Sequence, residues 1–159
     1  MAAKGSPELS AKAGELIPKL HELAVSPLAQ DELYAFAIDN VVAALLRVFR
    51  CPHHTFVTPD KWVPGFVELL PLRRDKDEMD FVYKELLELL RADEPNITAP
   101  PTLLKVLQHL FEQHRQIEPA TLEGYLPIIR QKHQAGVFGP DDAIPAFVKA
   151  LLTLAEKQK

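Results

Sequence analysis

The sequence predicts an all-α protein built from about seven helices joined by short loops. Three observations carry this. Apolar residues recur at three- and four-residue steps along most of the chain. No stretch alternates apolar and polar residues over strand length, and no Asn-Gly or Asp-Gly hairpin turn occurs. Prolines fall at helix starts and stops, where a missing N–H costs least.

The first residues, 1–6, read as a tail, and 7–159 as one helical domain. A first helix ends near Val25. The second is expected from about Leu28 to Phe49, with Leu33, Ala37, Val41, Ala44, Leu45 and Val48 as its inward stripe. Cys51-Pro52 ends it, because a residue before proline is pushed out of the helical region. Thr58-Pro59-Asp60 opens the third, with a hydroxyl able to cap and a proline at the first position. It runs through Phe66 and Val67 and stops at Pro71. The fourth spans about Lys76 to Ala92, turns Met79, Val82, Leu86, Leu89 and Leu90 inward, and begins with acids that complement the helix dipole. Pro100-Pro101-Thr102 starts the fifth. The last two run from about Pro119 to Ala135 and from Asp141 to Lys157.

Composition sets the function classes. The chain has 159 residues, 47% hydrophobic and 25% charged, with a net charge of -4. That balance is globular, and its sign argues against direct binding of nucleic acid, which needs cationic patches facing phosphate. The longest purely apolar run, Val41 to Leu46, is far short of the ~20 residues a membrane helix needs. One cysteine excludes an internal disulfide and fits a reducing compartment.

Chemical motifs are sparse. "CPHH" at Cys51 to His54 offers a thiolate and two imidazoles, yet no second cluster at zinc-site spacing completes four ligands. His109 and His114 fall on different helix faces. Ser6, Ser10 and Ser26 lack a nucleophile elbow, and six scattered glycines form no phosphate loop. The knot of charge from Arg73 to Asp80 reads as a solvent-exposed turn, a poor place for catalytic carboxylates, because nothing apolar is at hand to tune them. No enzyme activity, metal or cofactor is expected. Trp62 reads as a packing residue at a helix start.

Internal repetition separates a bundle from a solenoid. "LIPKL", "WVPGF", "PPTLL" and "AIPAF" share an apolar core around Pro18, Pro64, Pro101 and Pro145, spaced 46, 37 and 44 residues apart. A period of ~40 residues holding two helices is that of HEAT-type repeats. The expected architecture is therefore a stack of HEAT-like helical hairpins, a fragment of an α-solenoid, with an irregular bundle as the other possibility.

A family resemblance rests on particular residues. "AIDNVVAALLRVF" (Ala37 to Phe49), "VPGFVELLPLRRDKDEMDFVYKELLELL" (Val63 to Leu90), "EPNI" and "PPTLLKVLQHL" are similar to the C-terminal HEAT repeats of the importin-beta (karyopherin-beta) nuclear transport receptors, most of all those carrying ribosomal proteins and histones. Asp39-Asn40, Val63-Pro64, Leu70-Pro71-Leu72 and Asp75-Lys76-Asp77-Glu78 stand in the order that family shows. The resemblance covers about Phe36 to Leu110. It implies a protein-binding scaffold, cytoplasmic and nuclear, taking basic protein cargo on the concave face of its inner helices. Binding of the Ran GTPase resembles a property of the N-terminal part of that family and is expected only in a longer chain.

Candidate contact residues follow. Asn40, Ala43, Arg47 and Arg50 form a stripe beside the apolar one, and an amide at Asn40 can both donate to and accept from a peptide backbone. Asp77, Asp80, Lys84 and Glu88 line up on the next inner helix. The cargo-binding set is therefore Asn40, Arg47, Asp77, Asp80, Lys84 and Glu88. From Asp75 to Glu94 eight acids face three bases, net -5, a charge that can draw a basic partner. The alternative is a structural or assembly module that associates through apolar end surfaces.

Overall fold

The computed structural model describes residues 7–51 and 58–157, and all the secondary structure there is helical. The chain divides into two compact units, and the division falls between Met79 and Asp80, inside one helix.

The first unit contains α1 (Pro7–Ala24), two short 3-10 turns (Pro27–Gln30 and Glu32–Tyr34), α2 (Ala35–Arg50) and α3 (Pro59–Val67). α1 packs against α2. α2 starts seven residues later than the periodicity predicts. Pro27 opens a 3-10 turn, and at Asp31 the backbone is extended while the side chain accepts the N–H of Leu33, so the segment before Ala35 turns twice instead of forming a helix. The phase of the buried face shifts as well. Ala35, Asp39, Val42, Ala43, Leu45 and Leu46 point inward, whereas Leu33 is 80% exposed and Ala37 is exposed too.

α3 has Pro59 at its first position, as expected, but Thr58 makes no side-chain cap. Trp62 is buried, stacked on Phe49 at 4.8 Å with Phe66 edge-on at 6.2 Å. It is a core residue, as aromatic pairs of this geometry usually are. Pro18 and Pro64 both lie inside their helices, Pro18 well past the start of α1, so the proline recurrence does not mark equivalent positions.

α4 (Lys76–Arg91) crosses from the first unit into the second. All five residues expected inward on it are buried. It ends in a left-handed turn. Asp93 takes φ 52°, its N–H reaches the carbonyl of Leu90, and the N–H of Glu94 reaches that of Leu89, the bonding pattern of a Schellman motif.

The second unit continues with α5 (Pro95–Thr98), α6 (Pro100–Gln113), α7 (Pro119–Gln134) and α8 (Ala146–Lys157). α8 packs on α6 and α7. The four-residue α5 has no counterpart in the predicted set; the Glu94 carboxylate, accepting the N–H groups of Asn96 and Ile97, builds it. α8 begins five residues later than predicted. Pro145 disfavours helix at Ile144 and then offers its own carbonyl to Val148 and Lys149. α7 lies close on α4 at Gly124, where a Cβ would stand 2.5 Å from Leu87 Cδ2. Inside this unit Tyr83 donates to Gln113 Oε1 at 2.7 Å, and the buried Tyr125 hydroxyl donates to the Tyr83 carbonyl. Burial pushes both phenols far up from their ordinary pKa.

Candidate functional site

The charged corner before α4 is a clasp. Asp39 is the fifth residue of α2 and only 2% exposed. Its carboxylate accepts three successive backbone N–H groups: Arg73 at 2.9 Å, Arg74 at 2.6 Å and Asp75 at 2.8 Å. A carboxylate buried this deeply must be hydrogen-bonded, and here the chain itself supplies the donors. Next to it, Asn40 donates to Asp75 Oδ2 at 2.9 Å and to the Phe36 carbonyl at 2.9 Å. Asp75 in turn accepts from the N–H of Glu78, three residues on, and so caps α4. The arginines of the corner reach back to the 3-10 turns. Arg73 donates to the Ala29 carbonyl at 2.6 Å, and Arg73 and Arg74 both pair with Glu32. Asp75, expected in a wet turn, is therefore 9% exposed.

The same device stands in the second unit. Asp80 is the fifth residue of α4, 41 positions after Asp39. It is 8% exposed and accepts the N–H of Glu118 at 3.0 Å and the Thr121 hydroxyl at 2.7 Å, at the start of α7. Lys84 lies 2.6 Å from its other oxygen and 2.9 Å from Glu118. Burial raises the pKa of Asp80, but Lys84, Thr121 and the Glu118 N–H outweigh it and hold the carboxyl below its ordinary value. The hydrogen bonds to Asp80 and Glu118 hold the Lys84 ammonium above its own. The sequence carries a signal for this that the proline spacing does not. Ile38-Asp39-x-Val41-x-x-x-Leu45-Leu46 and Met79-Asp80-x-Val82-x-x-x-Leu86-Leu87 share Asp, Val, Leu and Leu at the same spacing after an apolar residue.

The predicted contact residues fare unequally. Asp80 is not a surface acid; it is inside, and its charge is answered by Lys84. Lys84 itself is held between Asp80 and Glu118. Ala43 is fully buried, so the stripe through Asn40, Ala43, Arg47 and Arg50 is not one surface. Asn40 is exposed, but both N–H groups of its amide are engaged, leaving the carbonyl oxygen to offer a ligand. Arg47 pairs with Glu78 at 2.8 Å, and Glu88 with Arg91 at 2.6 Å. Asp77 is exposed. Of the predicted set, Asp77, Lys84, Glu88 and the Arg47 guanidinium remain at the surface as charges a partner could meet.

Clefts are small. One of about 350 Å³ in the second unit is lined by Arg91, Asp93, Gln131 and Lys132, with Asp93 and Lys132 paired at 3.0 Å. One of about 200 Å³ in the first lies among Ile17, Leu45, Phe49, Trp62 and Phe66, with His21 and Lys61 on its wall. Among the described residues, neither is lined by a hydroxyl, a thiol or a carboxylate beside an imidazole. Among the described residues no three His, Cys, Asp or Glu side chains are placed to share a metal ion. Cys51 is exposed, and the rest of the Cys51 to His54 motif lies outside the described residues. No described helix is long and apolar enough to cross a membrane.

Among the described residues the exposed large apolar side chains are concentrated. Leu16, Leu23, Val25, Leu28, Leu33, Tyr34 and Phe36 all fall between α1 and the first turn of α2. The chain matches no protein-family model, no curated protein and no solved structure.

Proposed function

We propose that the chain is a protein-binding helical-repeat scaffold without catalytic chemistry of its own, of the kind the importin-beta resemblance implies, working in cytoplasm and nucleus. One observation carries the reading. The motifs behind the resemblance, Asp39-Asn40 and Asp75 to Glu78, are hydrogen-bonded partners, and the Asp39 device recurs at Asp80 after 41 residues. A helix pair that repeats its own fastening is a unit for building surfaces. The partner is a basic protein segment, ribosomal-protein- or histone-like, and its contacts are the exposed acids of α4, Asp77 and Glu88, rather than Asp80.

The test is binding of a lysine-rich peptide to the whole chain at two salt concentrations. Affinity should fall by about tenfold or more between low and high salt, since exposed charges are screened over ~10 Å at 0.1 M. Asp77→Lys with Glu88→Lys should abolish it. Binding that ignores both salt and the reversals would overturn the reading.

A second reading, an assembly module that associates through apolar surface, is favoured by the seven exposed large apolar residues between Leu16 and Phe36. Scattered apolar residues on a surface are ordinary, whereas a local concentration marks an interface. Size measurement at rising concentration tests it, and a monomer at all concentrations would dismiss it.

A further inference from the structure

We infer that α1 is a self-recognition helix, taking the α1 of a second copy of this chain antiparallel across its exposed leucine stripe. The inference rests on the assembly reading and names its partner and geometry. α1 packs on α2 with one side. Another side shows Leu16 and Leu23, 46% and 47% exposed and two helical turns apart, and Val25 and Leu28 extend the apolar surface past its end.

Charge chooses the occupant. Lys12, Glu15, Lys19 and Glu22 are all exposed, and their spacing places them on one flank of the leucine stripe. Lay two such helices antiparallel about a two-fold axis level with Ile17. Lys12 of each then stands level with Glu22 of the other, and Glu15 with Lys19. One register satisfies both kinds of pair, giving four reciprocal contacts between opposite charges. Leu16 falls one residue from the axis, so the two copies of it meet at the centre. A parallel pairing in register, its two-fold running along the helices, sets this flank of each helix against the other flank of its mate, so these charges find no opposite partners. Glu15 and Lys19 can also pair within one helix, but such pairs are weak and leave the leucines wet. Isologous contacts of this kind close after two copies.

The experiment uses the whole chain and sedimentation equilibrium. Wild type should dimerise. Glu15→Lys should weaken the dimer by about tenfold, because the introduced ammonium then faces Lys19, and Glu15→Lys with Lys19→Glu should restore it to within about threefold. Leu16→Glu should leave a folded monomer by circular dichroism. In a Cys51→Ser background, Leu16→Cys should form a disulfide dimer on mild oxidation, whereas Leu23→Cys should not, its mate lying about 18 Å along the axis. A dimer indifferent to the α1 variants would overturn this inference and leave the assembly reading standing. A monomer would overturn both, and a species larger than two copies would overturn the two-fold pairing alone.

Discussion

The carboxylate of Asp39 accepts the N–H of Asp75 at 2.8 Å across 36 residues of sequence. With Arg73 and Arg74 it takes three consecutive amides. Substituting Asp39→Asn keeps the shape, turns one acceptor into a donor that faces other donors, and removes the charge. Hydrogen bonds to a charged group contribute ~1.5–3 kcal/mol each and do not add fully, so the expected loss is about 3 kcal/mol. Urea unfolding at neutral pH measures it. A loss under about 1 kcal/mol would mean that the clasp is incidental to stability.

Asp80 makes stability depend on acid pH. Its burial opposes the charge, and Lys84, Thr121 and the Glu118 N–H more than restore it, so the folded pKa lies below the ordinary value of 3.8. A lowered folded pKa means that the unfolded chain binds the proton first. The stabilisation is complete above about pH 4 or 5 and drains away as pH falls through the folded pKa. Asp80→Asn should therefore be clearly less stable than wild type at pH 7 and close to it near pH 2.5. Equal gaps at both pH values would contradict the linkage.

Asp93 holds a left-handed conformation at φ 52° to end α4. Glycine takes that conformation without the Cβ penalty, which is about 1 kcal/mol for other residues. Against this, Asp93→Gly loses the ion pair with Lys132, whose carboxylate side is 77% exposed, and such pairs count for little. The variant should gain roughly 0.5 kcal/mol, read as a rise in Tm of one or two degrees. A fall in Tm would show that the ion pair outweighs the turn.

Much of the helical layout is legible because burial follows period. In α4, α6 and α7 the apolar steps are regular, α4 opens on acids and α6 and α7 on prolines, and the bounds follow. The start of α2 is not legible, because Leu28, Leu33 and Phe36, which fit the apolar pattern, are at the surface. Apolar character alone does not say which face is covered. The site is less legible for a related reason. A local reading sees Asp39, Asp75 and Asp80 as surface charge, whereas each has a partner 34 to 41 residues away, among them backbone N–H groups, the Asn40 amide and the Thr121 hydroxyl, that no sequence pattern marks. The similar segments at Ile38 to Leu46 and Met79 to Leu87 are the available clue, since each places its acid seven residues before the second leucine of a buried Leu-Leu pair.

Tyr83 and Gln113 are both buried, and the phenol donates to the amide oxygen at 2.7 Å. Removing the hydroxyl alone takes a donor from an amide that water cannot reach. Tyr83→Phe should therefore cost about 2 kcal/mol, most of it the desolvation of the Gln113 oxygen and little of it the loss of the bond itself. If so, the cost depends on the amide being there. Gln113→Met removes the buried acceptor while keeping most of the volume, and in that background Tyr83→Phe should cost at least about 1 kcal/mol less. The four unfolding free energies of the double-mutant cycle decide it. Additive losses would mean that the two groups lie side by side without mutual support, and the Tyr83 ring alone would then account for the packing.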